Sequence, residues 1–146
     1  MILLDTNILL RLSNKRDQDY QATQAAISGC WKKGRRLFLA DQILHEFWVA
    51  ATRSIKKNGL EFSSAKADRY MTRFMKLFVR LPEPKLLFDS WRLLVNAHSI
   101  VGLPAHDARI AAFVQTYPLT GLMTYNADDF KALPITVVNP KDPSTW

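Results

Sequence analysis

A chain of 146 residues with 48% hydrophobic content can bury a core without covalent help, and its single cysteine, Cys30, excludes an intramolecular disulfide and a Cys-rich zinc site. No run of about 18 apolar residues is present to span a membrane, and the early Asp5, with no basic residue before it, argues against a secretory signal, so a cytoplasmic protein is expected. The net charge of +7 and pI of 9.8 point to a polyanionic partner or a solubilising surface, and the excess is local: residues 1–80 hold 15 of the 20 Lys and Arg but 7 of the 13 acids.

The first seven residues, Met1-Ile2-Leu3-Leu4-Asp5-Thr6-Asn7, read as a buried strand that delivers a carboxylate to a sheet edge. Asp5 there can hold a divalent metal or cap the helix that starts with Thr6 and Asn7. A second helix is predicted from Asp17 to Trp31, ended near Gly29, and the basic loop Lys32 to Arg36 leads into strand Leu37–Leu39. Asp41 should cap a helix from Gln42 to about Lys57, stopped by Asn58-Gly59, with Ile43, Phe47, Ala50 and Ala51 on its buried face. Glu46 falls on the margin of that apolar stripe, which leaves open a solvated glutamate and a site residue.

Ser63 or Ser64 should cap a helix running to about Arg80. Its Lys66, Arg69, Arg73, Lys76 and Arg80 step by three and four residues, forming a basic stripe opposite Tyr70, Met71, Phe74, Leu77 and Phe78. Such a stripe is a solvated face or faces a polyanion, either nucleic acid or an acidic protein. After Pro82 and Pro84, a helix is predicted over about Lys85–Val101, closed by Gly102, and another begins near Pro104 with Asp107 in its first turn. Gly121–Thr124 reads as a strand, Tyr125–Phe130 as a polar turn, and Ile135–Val138 as a final strand before a Pro-containing tail from about residue 139. Strands alternating with helices specify an α/β three-layer fold with a mainly parallel sheet, in a single domain over 1–146.

Asp5 after the first strand, Glu46 beside the core face of a helix and Asp107 at a helix start thus occupy comparable places. Leu3-Leu4-Asp5-Thr6-Asn7, Leu44-His45-Glu46-Phe47 with Ala51-Thr52-Arg53, His106-Asp107-Ala108-Arg109-Ile110-Ala111-Ala112, and Leu122-Met123-Thr124-Tyr125-Asn126 with Asp129-Phe130 follow in an order that resembles the PIN-domain ribonucleases, and among them the VapC-type toxins of toxin–antitoxin systems. The resemblance runs from the first residues to about Val138. It implies an α/β/α sandwich and a metal-dependent endoribonuclease acting on structured RNA, with Asp5, Glu46 and Asp107 as catalytic residues and ligands of Mg²⁺ or Mn²⁺.

The fourth acidic position of the family falls on Asn126, which can coordinate through its carbonyl but adds no charge. Asp128 or Asp129 can substitute in part, with Asp129 expected to brace the turn. Thr6, Asn7 and Thr124 would orient waters or a carboxylate, and Arg53 would bind phosphate or pair with Glu46. Lys66, Arg69, Arg73 and Lys76 would contact RNA. A homodimer and a cognate antitoxin are the implied partners.

Hard cations of this kind prefer oxygen donors and need no side-chain nucleophile, in keeping with the unpaired spacing of His45, His98 and His106. Asn126 also motivates an alternative, a catalytically weakened RNA- or protein-binding module of the same fold. A phosphotransfer or nucleotide-binding domain fits less well, because no second Asp stands at i+2 from Asp5 and no Gly-rich phosphate loop follows a strand.

Overall fold

A computed structural model describes residues 1–146. Its sheet has five parallel strands in the order β3-β2-β1-β4-β5, formed by Ile2–Leu4 (β1), Leu37–Leu39 (β2), Val79–Arg80 (β3), Gly121–Met123 (β4) and Val137–Val138 (β5). The three central strands, β2, β1 and β4, are buried along their whole length, as expected where helices cover both faces of a parallel sheet. The helices are Thr6–Ser13 (α1), Tyr20–Lys32 (α2), Asp41–Thr52 (α3), Ser64–Leu77 (α4), Leu87–Ala97 (α5), Pro104–Thr116 (α6) and Ala127–Phe130 (α7). Contacts join α1 to α2 and α3, and α3 to α4, while α5 packs on α6 and α6 on α7.

Strand order reverses at β1. The chain moves from β1 out to β2 and β3, then returns to place β4 and β5 on the other side. Right-handed crossovers in opposite directions put the two helix groups on opposite faces, and a crevice opens beyond the carboxyl ends of β1 and β4. This is the α/β three-layer, PIN-like sandwich with a parallel sheet that the sequence led us to expect. Its core is one cluster of 31 buried residues, among them Leu3, Ile8, Leu39, Phe47, Phe74, Ala111 and Leu122.

Several helix ends differ from the sequence reading. Gly29 lies inside α2, where it makes room for the Trp146 indole; the stop is at Gly34, whose φ of +68° is a left-handed conformation. Helix α3 ends at Thr52 because Arg53 and Ser54 turn extended and the Ser54 hydroxyl accepts from the Lys56 amide, starting a separate 3-10 turn, Ile55–Lys57. Asn58, at φ +58°, then ends that turn. The α3 cap position is Ala40, and Asp41 lies in the first turn. Ala50 is only half-buried, and Leu44 takes the predicted place on the core face.

Helix α4 stops at Leu77, which is itself exposed. Phe78 is extended and Val79–Arg80 join the sheet edge as β3, pairing with Phe38 and Leu39. Arg80 therefore leaves the basic stripe, and its guanidinium makes two bonds to Asp41, at 2.5 and 2.8 Å. Helix α5 is shorter than expected because Ser99, at φ +51°, turns the chain before Gly102. No helix is long and apolar enough to cross a membrane.

Candidate active site

Asp5 follows β1 directly, and its amide continues the sheet by donating to the Met123 carbonyl at 3.0 Å. Its two carboxylate oxygens face different partners. One carboxylate oxygen accepts from the Thr6 amide at 2.6 Å, capping α1, while the other accepts from the Thr124 hydroxyl at 2.6 Å and the Asn7 amide nitrogen at 2.7 Å. Asn7 also donates to Thr124 Oγ1 (2.9 Å) and accepts from the Tyr125 amide (3.2 Å), and Thr124 Oγ1 accepts from the Asn126 amide (3.0 Å). The hydrogen bonds thereby lock the ends of β1 and β4 together across the crevice.

Glu46 comes in from α3. Its Oε2 accepts from the Thr6 hydroxyl at 2.9 Å and its Oε1 from Gln42 Nε2 at 2.8 Å. Asp107, in the first turn of α6, is half-buried, and its carboxylate has neither a hydrogen bond nor an ion pair with any protein group. Burial raises the Asp5 pKa to about 6, with the charges of Glu46 and Asp107 adding to the rise against the opposing bonds from Thr124 and Thr6. Asp107 is raised first by burial, then by the charges of Asp129 and Glu46.

The basic residues of the chain go elsewhere. Ion pairs join Arg11 and Lys141 to Asp19, Arg80 to Asp41, Arg109 to Glu83, and Lys131 to Asp128. None reaches Asp5, Glu46, Asp107 or Asp129, although the protein carries a net charge of +7. Mutually repelling, unneutralised carboxylates form a donor set suited to a hard divalent cation, and Mg²⁺ commonly takes only one or two protein carboxylates and keeps waters. No three His, Cys, Asp or Glu side chains stand close enough in this structure to enclose an ion by themselves.

The remaining expected residues are distributed as follows. Asn126 is exposed at the cap of α7, and its side chain caps nothing. Asp129 makes no side-chain hydrogen bond, so the bracing contact expected of it is absent, while its charge reaches Asp107. Arg53 does not pair with Glu46; its guanidinium donates to the Asn58 carbonyl at 3.1 Å. Both line a cleft of about 400 Å³ with Thr6, His45, Val49 and Ala50.

Lys66, Arg69 and Arg73 form with Tyr70 a second cleft of about 330 Å³. The Lys66 ammonium sits 3.7 Å from the centre of the Phe62 ring, which stacks on Tyr70 at 5.4 Å. Lys76 lies farther along the same helix, and none of these four cations has an acidic partner. The chain entering α4 is tied to the end of α3 by the Phe62 amide, which donates to the Ala51 carbonyl at 2.8 Å, and α4 leads directly into β3 at the sheet edge.

Sequence reasoning missed Gln42 and Arg109 as contributors to the site. The spacing of Gln42 and Glu46 on one helical face was a usable signal, whereas Arg109 meets Gln42 only across the fold.

No family model and no curated protein matches the sequence. Solved structures do. VapBC-1 from nontypeable Haemophilus influenzae is 17% identical with a TM-score of 0.72 over 97% of this chain and 100% of that one. A toxin-antitoxin complex from Klebsiella pneumoniae is 22% identical with a TM-score of 0.66 over 96% and 98%. Mycobacterium tuberculosis VapC20, a Sarcin-Ricin loop cleaving toxin, is 16% identical with a TM-score of 0.62 over 90% and 95%. Across nearly its whole length, this chain has the fold of these toxin structures.

Proposed function

We propose that the protein is a VapC-type toxin, a metal-dependent endoribonuclease that hydrolyses phosphodiester bonds in structured RNA. The observation that carries this reading is that Asp5, Glu46 and Asp107, none of them ion-paired in a strongly basic protein, lie near enough for the charges of Glu46 and Asp107 to raise the Asp5 pKa, beside the crevice where strand order reverses. These three would hold Mg²⁺ or Mn²⁺. When bound, the ion supplies activation of a water for in-line attack on phosphorus and neutralises charge on the phosphate oxygens.

The chain's own residues do the rest. Thr6, Asn7 and Thr124 hold the Asp5 and Glu46 carboxylates in fixed orientations, with Asn126 offering a neutral oxygen and Asp129 a further negative charge. Arg53, free of Glu46 and beside it in the same cleft, binds a phosphate near the cut. Lys66, Arg69, Arg73 and Lys76 hold the RNA backbone farther out. The cleaving activity of the similar mycobacterial toxin supports a structured substrate, and the Klebsiella complex supports a cognate antitoxin. We further read the active form as a cytoplasmic homodimer.

The test is cleavage of a structured RNA by the purified protein in Mg²⁺ or Mn²⁺, with 5′ ends sequenced. Cuts at defined positions that EDTA and Asp107→Asn both abolish are expected. Full activity in EDTA, or in Asp5→Asn and Asp107→Asn, overturns the assignment. Asn126 and the open spacing of the carboxylates favour one other reading, a binding module that has lost efficient chemistry. RNA or protein binding without cleavage and without Mn²⁺ binding would establish that reading instead.

A further inference from the structure

We infer that Gln42 is a positioning residue that sets the separation between Glu46 and Asp107, and that Arg109 dictates which way its amide faces; this rests on the metal-site reading above. Gln42 stands four residues before Glu46 on α3, and its Nε2 donates to Glu46 Oε1 at 2.8 Å and to the backbone carbonyl of His106 at 3.1 Å. His106 immediately precedes Asp107. One amide group therefore ties the Glu46 carboxylate to the backbone that carries Asp107, although the two acids come from different helices.

The orientation of that amide follows from its third contact. Arg109 Nη1 donates to Gln42 Oε1 at 2.8 Å. A guanidinium has no acceptor, so only the oxygen of the amide can face it, and the NH₂ must then turn toward Glu46 and His106. Arg109 is held in its turn by Glu83, through Nη2 at 2.5 Å. The arrangement lets a cation orient a carboxylate through a neutral relay. Arg109 placed directly on Glu46 would neutralise the charge that an ion needs, whereas Gln42 transmits its direction and the Glu83 pair absorbs its charge. Neither Gln42 nor Arg109 is positioned to touch substrate on this account; both act through Glu46.

The experiment titrates Mn²⁺ into metal-free protein, reading free Mn²⁺ by electron paramagnetic resonance, with thermal unfolding in EDTA as the control for folding. Gln42→Met keeps the side-chain length and removes all three bonds. It should weaken Mn²⁺ binding roughly tenfold or more, as loss of a group that orients a metal ligand commonly does, while the metal-free unfolding temperature stays near that of the wild type. Arg109→Met should weaken binding similarly, and the double variant should be no worse than the poorer single one, because both act through the same amide.

Arg109→Lys retains a donor for the amide oxygen and should recover much of the affinity, which keeps the inference testable if either methionine variant folds poorly. Equal Mn²⁺ binding by wild type and Gln42→Met, or strictly additive losses, overturns the inference while leaving the metal site standing. Absence of Mn²⁺ binding by the wild type is a different result, and overturns the metal reading and this inference together.

Discussion

The Thr124 hydroxyl donates to Asp5 Oδ2 at 2.6 Å, joining two residues 119 positions apart at the ends of adjacent parallel strands. Both are buried, so the bond is made where water cannot replace it. The same hydroxyl oxygen accepts from Asn7 and from the Asn126 amide, which makes Thr124 the junction of the crevice.

Thr124→Val preserves shape and removes that junction. It should cost about 2–3 kcal/mol in chemical denaturation, since the Asp5 carboxylate loses a buried bond and the Asn7 and Asn126 N–H groups lose part-buried ones, and Thr124→Ser should recover most of it. Without the hydroxyl that does most to lower its pKa, the Asp5 carboxyl should also rise further, measurable by carbon NMR of labelled aspartate.

The raised Asp5 pKa has a signed consequence for metal-free protein. Folding moves this carboxyl from an ordinary 3.8 up to about 6, so the native state holds the proton more tightly than the unfolded chain. The stabilisation is complete below about pH 3.8 and is lost as pH rises through about 6, a fall of about 3 kcal/mol from this group. Asp107 shifts in the same direction. Denaturation in EDTA across this range should show the decline, and Asp5→Asn should flatten it. An Asp5→Asn profile as steep as the wild type would refute the assignment of the slope.

At Gly29, a methyl group would overlap the Trp146 indole. Gly29→Ala should therefore displace the indole, whose Nε1 donates to the Asn139 carbonyl at 3.0 Å, and shift tryptophan fluorescence toward that of a solvated ring. In a Trp146→Ala background the clash is gone, and the same substitution should stabilise the protein by about 0.5–1 kcal/mol, the ordinary helix preference for alanine over glycine.

The α4 cations should act on binding and leave the chemical step alone. Arg69→Ala with Arg73→Ala should weaken RNA affinity at low salt and reduce the magnitude of the log–log salt slope by about 1–2, close to one unit for each phosphate that is no longer neutralised. Single-turnover cleavage at saturating protein should remain near the wild-type rate. An unchanged slope would mean that the stripe is a solvated face.

Much of this molecule is legible in the sequence because its signals are local. Short apolar runs that end in polar residues locate the central strands, helical spacing separates the basic and apolar sides of α4, and Pro104 marks the start of α6. Asp5 and Asp107 stand out by their places at element ends, Glu46 by its place beside the core face of α3, and all three by resemblance to the PIN-domain toxins; the fold expected on those grounds is the fold observed.

Only the tertiary structure decided what depends on partners distant in sequence. Arg80 belongs to a sheet edge and to Asp41 because strand pairing overrides the helical rhythm that precedes it. Gly29 serves a ring from the other end of the chain, and Asp5 both caps α1 and ties β1 to β4, because its second oxygen meets Thr124. Gln42 and Arg109 show the limit most clearly. An amide has no preferred orientation until a neighbour that can only donate takes its oxygen, and that neighbour lies 67 residues away.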